Sequence, residues 1–182
     1  MSLRCFSSWY FDSPIDSTYQ NDSFITRDLV LHIDSLYKSI PDKKARAITC
    51  HSMDGHGALD LAIRNKEIFG NAGSMSGGVD LLGLTQKYNI AKRIGTIDEI
   101  PLEWQNKSVV NMVDNLRKGN LNLIFDCGID DFFCDINANL HQKLVRLKID
   151  HDYIERPGVH NWDYWRNSIV YQMLFFKRRF SR

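Results

Sequence analysis

Four short apolar runs, each followed by helix-forming chain, constrain this protein more than any other feature. The runs are Ala45 to Cys50, Asn71 to Ser76, Leu121 to Cys127 and Tyr153 to Arg156. Runs this short, without strict alternation, suit strands covered on both faces. Met53 to Asn65 reads as a helix. So does the stretch in which Phe133, Ile136, Leu140, Leu144 and Leu147 recur, and the closing stretch with Trp162, Trp165, Ile169, Met173 and Phe176. Spacings of three and four put such side chains on one helix face. Strands alternating with helices predict an α/β fold, its mostly parallel sheet flanked by helices.

The remaining chain is less regular. Ile25, Leu29, Ile33, Leu36 and Ile40 predict a helix from Phe24 to Ser39, with Asp22 or Ser23 as cap and Pro41 beyond it. Ser108 reads as the cap of a helix that carries Val109, Met112, Val113 and Leu116 and stops at Gly119. Residues 4–22 read as irregular, and 79–107 take no assignment. No repeat divides the chain, so residues 1–182 are expected to form a single domain.

Charge and hydropathy narrow the function. A formal net charge of +1 offers no global field for nucleic acid or acidic membranes. Lys177-Arg178-Arg179 and Arg182 read as a solvated helix end. No apolar run approaches the roughly 20 residues of a membrane span. The N-terminus lacks the apolar stretch of an export signal, so a cytoplasmic protein with reduced thiols is expected. Cys127 and Cys134 read as buried, inert thiols.

The chemistry is expected where strands end. In Cys50-His51-Ser52-Met53-Asp54, a serine stands at a strand-to-helix turn. Such a turn lifts a nucleophile out of its strand, and the N–H of the next residue, Met53, faces a developing oxyanion at the new helix's N-terminus. The pattern departs from G-x-S-x-G at both glycines, and a capping serine explains these five residues equally well. Chain order adds weight. Asp126-Cys127-Gly128-Ile129-Asp130-Asp131 closes a strand, and Pro157-Gly158-Val159-His160 follows the last one. Ser, then Asp, then His, each at the C-terminal rim of a parallel sheet, is the arrangement of a serine hydrolase. His51 and His56 have no third ligand nearby, so no metal is expected, and no cofactor.

The wording of these segments resembles the esterase D family of α/β-hydrolases, nearest its tributyrin-esterase branch. The likeness covers Ser8-Trp9-Tyr10-Phe11-Asp12-Ser13-Pro14, Ser52-Met53-Asp54-Gly55-His56-Gly57-Ala58-Leu59, Gly73-Ser74-Met75-Ser76-Gly77-Gly78, Asp126 to Phe133, and Pro157 to Trp165. It implies an α/β-hydrolase fold and hydrolysis of short-chain acyl esters through Ser52 as nucleophile, His160 as base and Asp131, rather than Asp130, as acid. His51 and Trp162 are then expected to meet a small-molecule ester. Trp165, at helical spacing, is expected in the core.

Two departures from the family qualify this. Asp54 stands where the family has glycine, beside a backbone forced toward positive φ. Its bulk is expected to crowd the turn and its charge to oppose an oxyanion. Family members also carry several preceding strands and an H-G-x-x-G loop that supplies a second oxyanion donor. No such motif occurs here, so the sequence reads as N-terminally shortened. An exposed edge at the first strand, open to self-association, is therefore expected. A catalytically impaired or inactive remnant acting as a binding or structural module is the rival reading.

Overall fold

The computed structural model describes residues 8–180; Arg182, read above, lies outside them. Four strands form one parallel sheet in the order β1-β2-β3-β4: Ala47–His51, Asn71–Met75, Asn122–Gly128 and His151–Arg156. Helix α1 (Ser52–Arg64) leaves β1, α2 (Cys134–Arg146) joins β3 to β4, and α3 (Trp162–Phe180) follows β4. The alternation of the sequence is thus the alternation of the fold.

Side-chain parity sets the layers. Leu123 and Phe125 of β3 join Leu59 and Leu61 of α1 and Leu140 and Leu144 of α2 in one apolar cluster. Ile124, between them, turns to Phe175 and Phe176 of α3 on the other face. Successive strand residues face opposite ways, so α1 and α2 cover one side and α3 the other. On the α3 side Asp126 is fully buried and must find partners. It accepts from the Ser168 hydroxyl and from Gln172 Nε2 at 2.9 Å. Gln172 Nε2 also donates to the Ser74 carbonyl at 2.9 Å, and Thr49 hydrogen-bonds Gln172 Oε1. A Cβ at Gly73 would lie 2.2 Å from that oxygen. Glycine at 73 is what lets Gln172 reach the sheet.

The segments without clear pattern build a core of their own. Trp9 and Phe11 pack with Leu81, Ile90, Ile94 and Trp104. Residues 79–107 hold helices such as Ala91–Ile94 and Pro101–Asn106, too short for a helical period to show in the sequence.

Three expectations need correction. The helix placed between Ser108 and Gly119 is only Val109–Met112 followed by the tight turn Val113–Asn115, and Leu116 is extended yet buried. The helix expected from Phe24 to Ser39 begins with Asn21–Ser23, widens into a π-helical turn at Phe24–Leu29 and ends with Val30–Leu36. A wider turn rotates later residues off the line set by earlier ones. Ile25 is buried, but Leu36 and Ile40 face solvent. Cys127 is buried as expected, whereas Cys134 is only half-buried. Cys50, Cys127 and Cys134 are all unbridged. Among the described residues, no helix is long and apolar enough to cross a membrane.

Candidate active site

All four strands are parallel, so their C-terminal ends open onto one rim, and the candidate residues gather there. His51 ends β1 in extended backbone, and Ser52, the first residue of α1, has φ +55°. This left-handed step makes the turn sharp and turns the serine out of its strand. Asp54 is not among the residues of positive φ. The positive φ falls on Ser52, two residues before it in the turn. The close approach is at Gly55, where a Cβ would lie 2.6 Å from Ser74 Oγ and 3.3 Å from Gly77 Cα. Asp54 Oδ2 lies 3.7 Å from Cys50 Sγ. Burial pushes the Asp54 carboxyl above its ordinary value, against hydrogen bonds from Cys50 and Tyr10.

Asp131 and His160 come from the next loops along the rim. Ile129 N–H donates to the Arg156 carbonyl at 2.9 Å, and Asp130 N–H to the Gly158 carbonyl at 3.0 Å. These bonds zip the loop after β3 to the loop after β4. The two backbones meet so closely that a Cβ at Gly128 would stand 2.3 Å from Gly158 O.

Ser52, His160 and Asp131 form one hydrogen-bonded chain. Ser52 Oγ is 2.8 Å from His160 Nε2, and His160 Nδ1 is 2.8 and 3.0 Å from the Asp131 carboxylate oxygens. With Nδ1–H donating to the carboxylate, Nε2 is left to accept from the serine hydroxyl. Asp131 has no side-chain exposure. Burial pushes its carboxyl up, but hydrogen bonds from His160 and from Phe133 N–H at 2.8 Å outweigh it and hold the group below its ordinary value. A carboxylate so held stays ionised and favours a positive charge on the imidazole. Asp130, its neighbour, points to solvent. Met53 is the second residue of α1, where backbone N–H groups have no partner within the helix. An arrangement of this kind can pass a hydroxyl proton to imidazole while an acyl group moves to the oxygen.

His51 and Trp162 sit beside this chain. The His51 ring stacks on Trp165 at 4.2 Å and meets Trp162 edge-on at 4.7 Å. Burial, then the nearby His160, lowers the His51 pKa, which favours the neutral ring. Trp165 is buried, as its spacing predicts, and also touches the His160 ring edge-on at 4.9 Å. Beside β1 a groove of about 530 Å³ is lined by Ile48, His51, Asp54, Met75, Trp162 and Ile169 among others. His56 lies elsewhere, buried between Trp9 and Phe11 with Nε2 at 2.8 Å from the Lys107 carbonyl. Sequence reasoning gave no site role to Phe132 and Phe133, whose rings lie 4.3 and 5.4 Å from that of His160. Their place directly after Asp131 was the available signal.

The family model described as "Putative esterase" matches residues 6–176. The chain belongs to that family. An acetyl esterase of Caldicellulosiruptor saccharolyticus is 27% identical over 179 residues, covering 90% of this chain and 66% of the relative. Among solved structures, a ferulic acid esterase matches this esterase-family chain with a TM-score of 0.77 at 26% identity, over 94% of this chain and 64% of its own. An S-formylglutathione hydrolase from Agrobacterium tumefaciens matches with a TM-score of 0.77 at 19% identity, over 95% and 63% of the two chains. At that identity the likeness shows the fold alone, and the fold is that of an α/β-hydrolase. The chain spans a little under two thirds of the length of the relatives it matches, 66% and 64% for the first two.

Proposed function

We propose that this chain is a serine carboxylic-ester hydrolase that takes short-chain acyl esters through an acyl-enzyme. The observation that carries the reading is the hydrogen-bonded chain Ser52–His160–Asp131 at a left-handed strand-to-helix turn. Membership of an esterase family and likeness to an acetyl esterase support it. Short acyl groups, as in tributyrin, follow the branch that the sequence most resembles.

In this reading Ser52 Oγ attacks the ester carbonyl while His160 Nε2 takes its proton. Asp131 fixes the tautomer and stabilises the imidazolium. Met53 N–H donates to the oxyanion. The imidazolium gives the proton to the departing alcohol, and water reverses the sequence at the acyl-enzyme. His51 and Trp162 border the space that the ester occupies. No metal or other cofactor enters any step.

The test is hydrolysis of p-nitrophenyl acetate and butyrate by the chain and by Ser52→Ala at equal concentration. The reading expects hydrolysis that Ser52→Ala lacks. Equal rates from both would overturn it. If neither reacts, the alternative of an inactive α/β-hydrolase takes its place.

A further inference from the structure

We propose that Phe132 is the platform on which the alcohol half of the ester rests, and that this half presents a flat apolar face. The inference rests on the ester-hydrolase reading above and names the substrate feature that this site selects. Three aromatic rings touch the His160 imidazole: Trp165, Phe133 and Phe132. Trp165 and Phe133 are 8% and 5% exposed and belong to the interior. Phe132 is 62% exposed, with its ring 4.3 Å from that of His160 and tilted by 34°. It holds that place without being needed to fill the core. Ile129 and Val159, on the same two loops as Asp131 and His160, are also exposed and make the rim there apolar.

The chemistry says which half of the ester meets this rim. As the bond from Ser52 Oγ to the acyl carbon forms, the bond from that carbon to the alcohol oxygen breaks. The proton that His160 Nε2 took from Ser52 goes to the departing oxygen. That oxygen therefore comes within hydrogen-bond reach of Nε2. The group it carries lies against whatever covers the open side of the imidazole, and that is Phe132. An aromatic ring half out of water gains most by covering a flat apolar surface, such as an aryl ring or the C–H face of a sugar ring.

Benzyl acetate and ethyl acetate share an acyl group and have leaving groups of similar basicity, so they isolate the alcohol. In Phe132→Ala, the ratio of their kcat/KM values, benzyl over ethyl, is expected to fall roughly three- to tenfold, the worth of one aromatic contact. Phe132→Tyr, which keeps the ring, should retain the ratio. A proportional loss for both alcohols would mean that Phe132 only props His160 and would overturn the proposal. So would an unchanged ratio. An acetylated methyl glucoside as third substrate separates sugar from aryl: whichever alcohol loses more in Phe132→Ala is the one that stacks. Magnetisation transfer from protein to the ring protons of benzyl acetate, in Ser52→Ala with and without Phe132→Ala, reads the platform without turnover. Transfer that Phe132→Ala abolishes supports the platform even if no ester is hydrolysed; transfer that persists, or is absent throughout, overturns it.

Discussion

Ser52 pays for its position with backbone strain. A non-glycine residue at φ +55° costs roughly 1–2 kcal/mol, because its Cβ crowds the adjoining carbonyl. Two substitutions that both delete the hydroxyl separate this cost from the chemistry. Ser52→Gly should unfold at higher urea than Ser52→Ala, by about 1 kcal/mol, although alanine is the better helix former. The reverse order would mean that the turn is unstrained. The left-handed step at Ser52 was legible in the sequence as a serine between an apolar run and a helix. At Asp54, where the family has glycine, the expectation was crowding. The helix is already right-handed at 54, and the close packing falls on Gly55 instead.

At the scale of elements, distances at the candidate site are set by how two loops meet. Gly128 and Gly158 are in backbone contact, and the hydrogen bonds beside them carry Asp131 and His160 into register. Gly128→Ala puts a methyl 2.3 Å from Gly158 O, where only backbone can give way. We expect a loss of about 1–3 kcal/mol in stability. We also expect a drop in esterase kcat of at least tenfold, read against urea unfolding of the same variant. An unchanged kcat would show that the loops are not held by this contact. All four strands and all three long helices were legible to within two residues of their ends, apart from the last helix, which runs further to Phe180. Each has an apolar period long enough to register. The stretch from 79 to 107 was not legible, since helices of four to six residues leave no period and most of their apolar residues serve a separate core. The π-helical turn at Phe24–Leu29 was invisible for another reason: the spacings of three and four among Ile25, Leu29, Ile33 and Leu36 run straight through it.

For the whole molecule, acid is the condition to watch. Complete burial lowers the His56 pKa from 6.5 to about 4, despite the hydrogen bond to the Lys107 carbonyl. A base whose folded pKa is depressed stabilises the fold fully above its unfolded pKa. That contribution is lost as pH falls from 6.5 towards 4, by roughly 3 kcal/mol in all. Thermal unfolding at pH 7 and pH 4.5 should show a smaller acid shift in His56→Gln than in the parent; an equal shift would place the acid sensitivity elsewhere. The second property at this scale is the open flank of the sheet. Among the described residues β1 pairs only with β2, and the 530 Å³ groove runs beside it. We propose that this edge pairs with a second copy of the chain, as unprotected edges tend to do. Size exclusion with light scattering should give a dimer, and a clean monomer at high concentration would contradict it.

The central claim is that Ser52, held by His160 and Asp131, is an activated nucleophile. Its most direct test is intact-mass and peptide mapping after treatment with diisopropyl fluorophosphate. We predict one adduct per chain, on the peptide that holds Ser52. It should be absent in Ser52→Ala and form far more slowly in His160→Ala. No adduct, or one placed on another residue, would contradict the account.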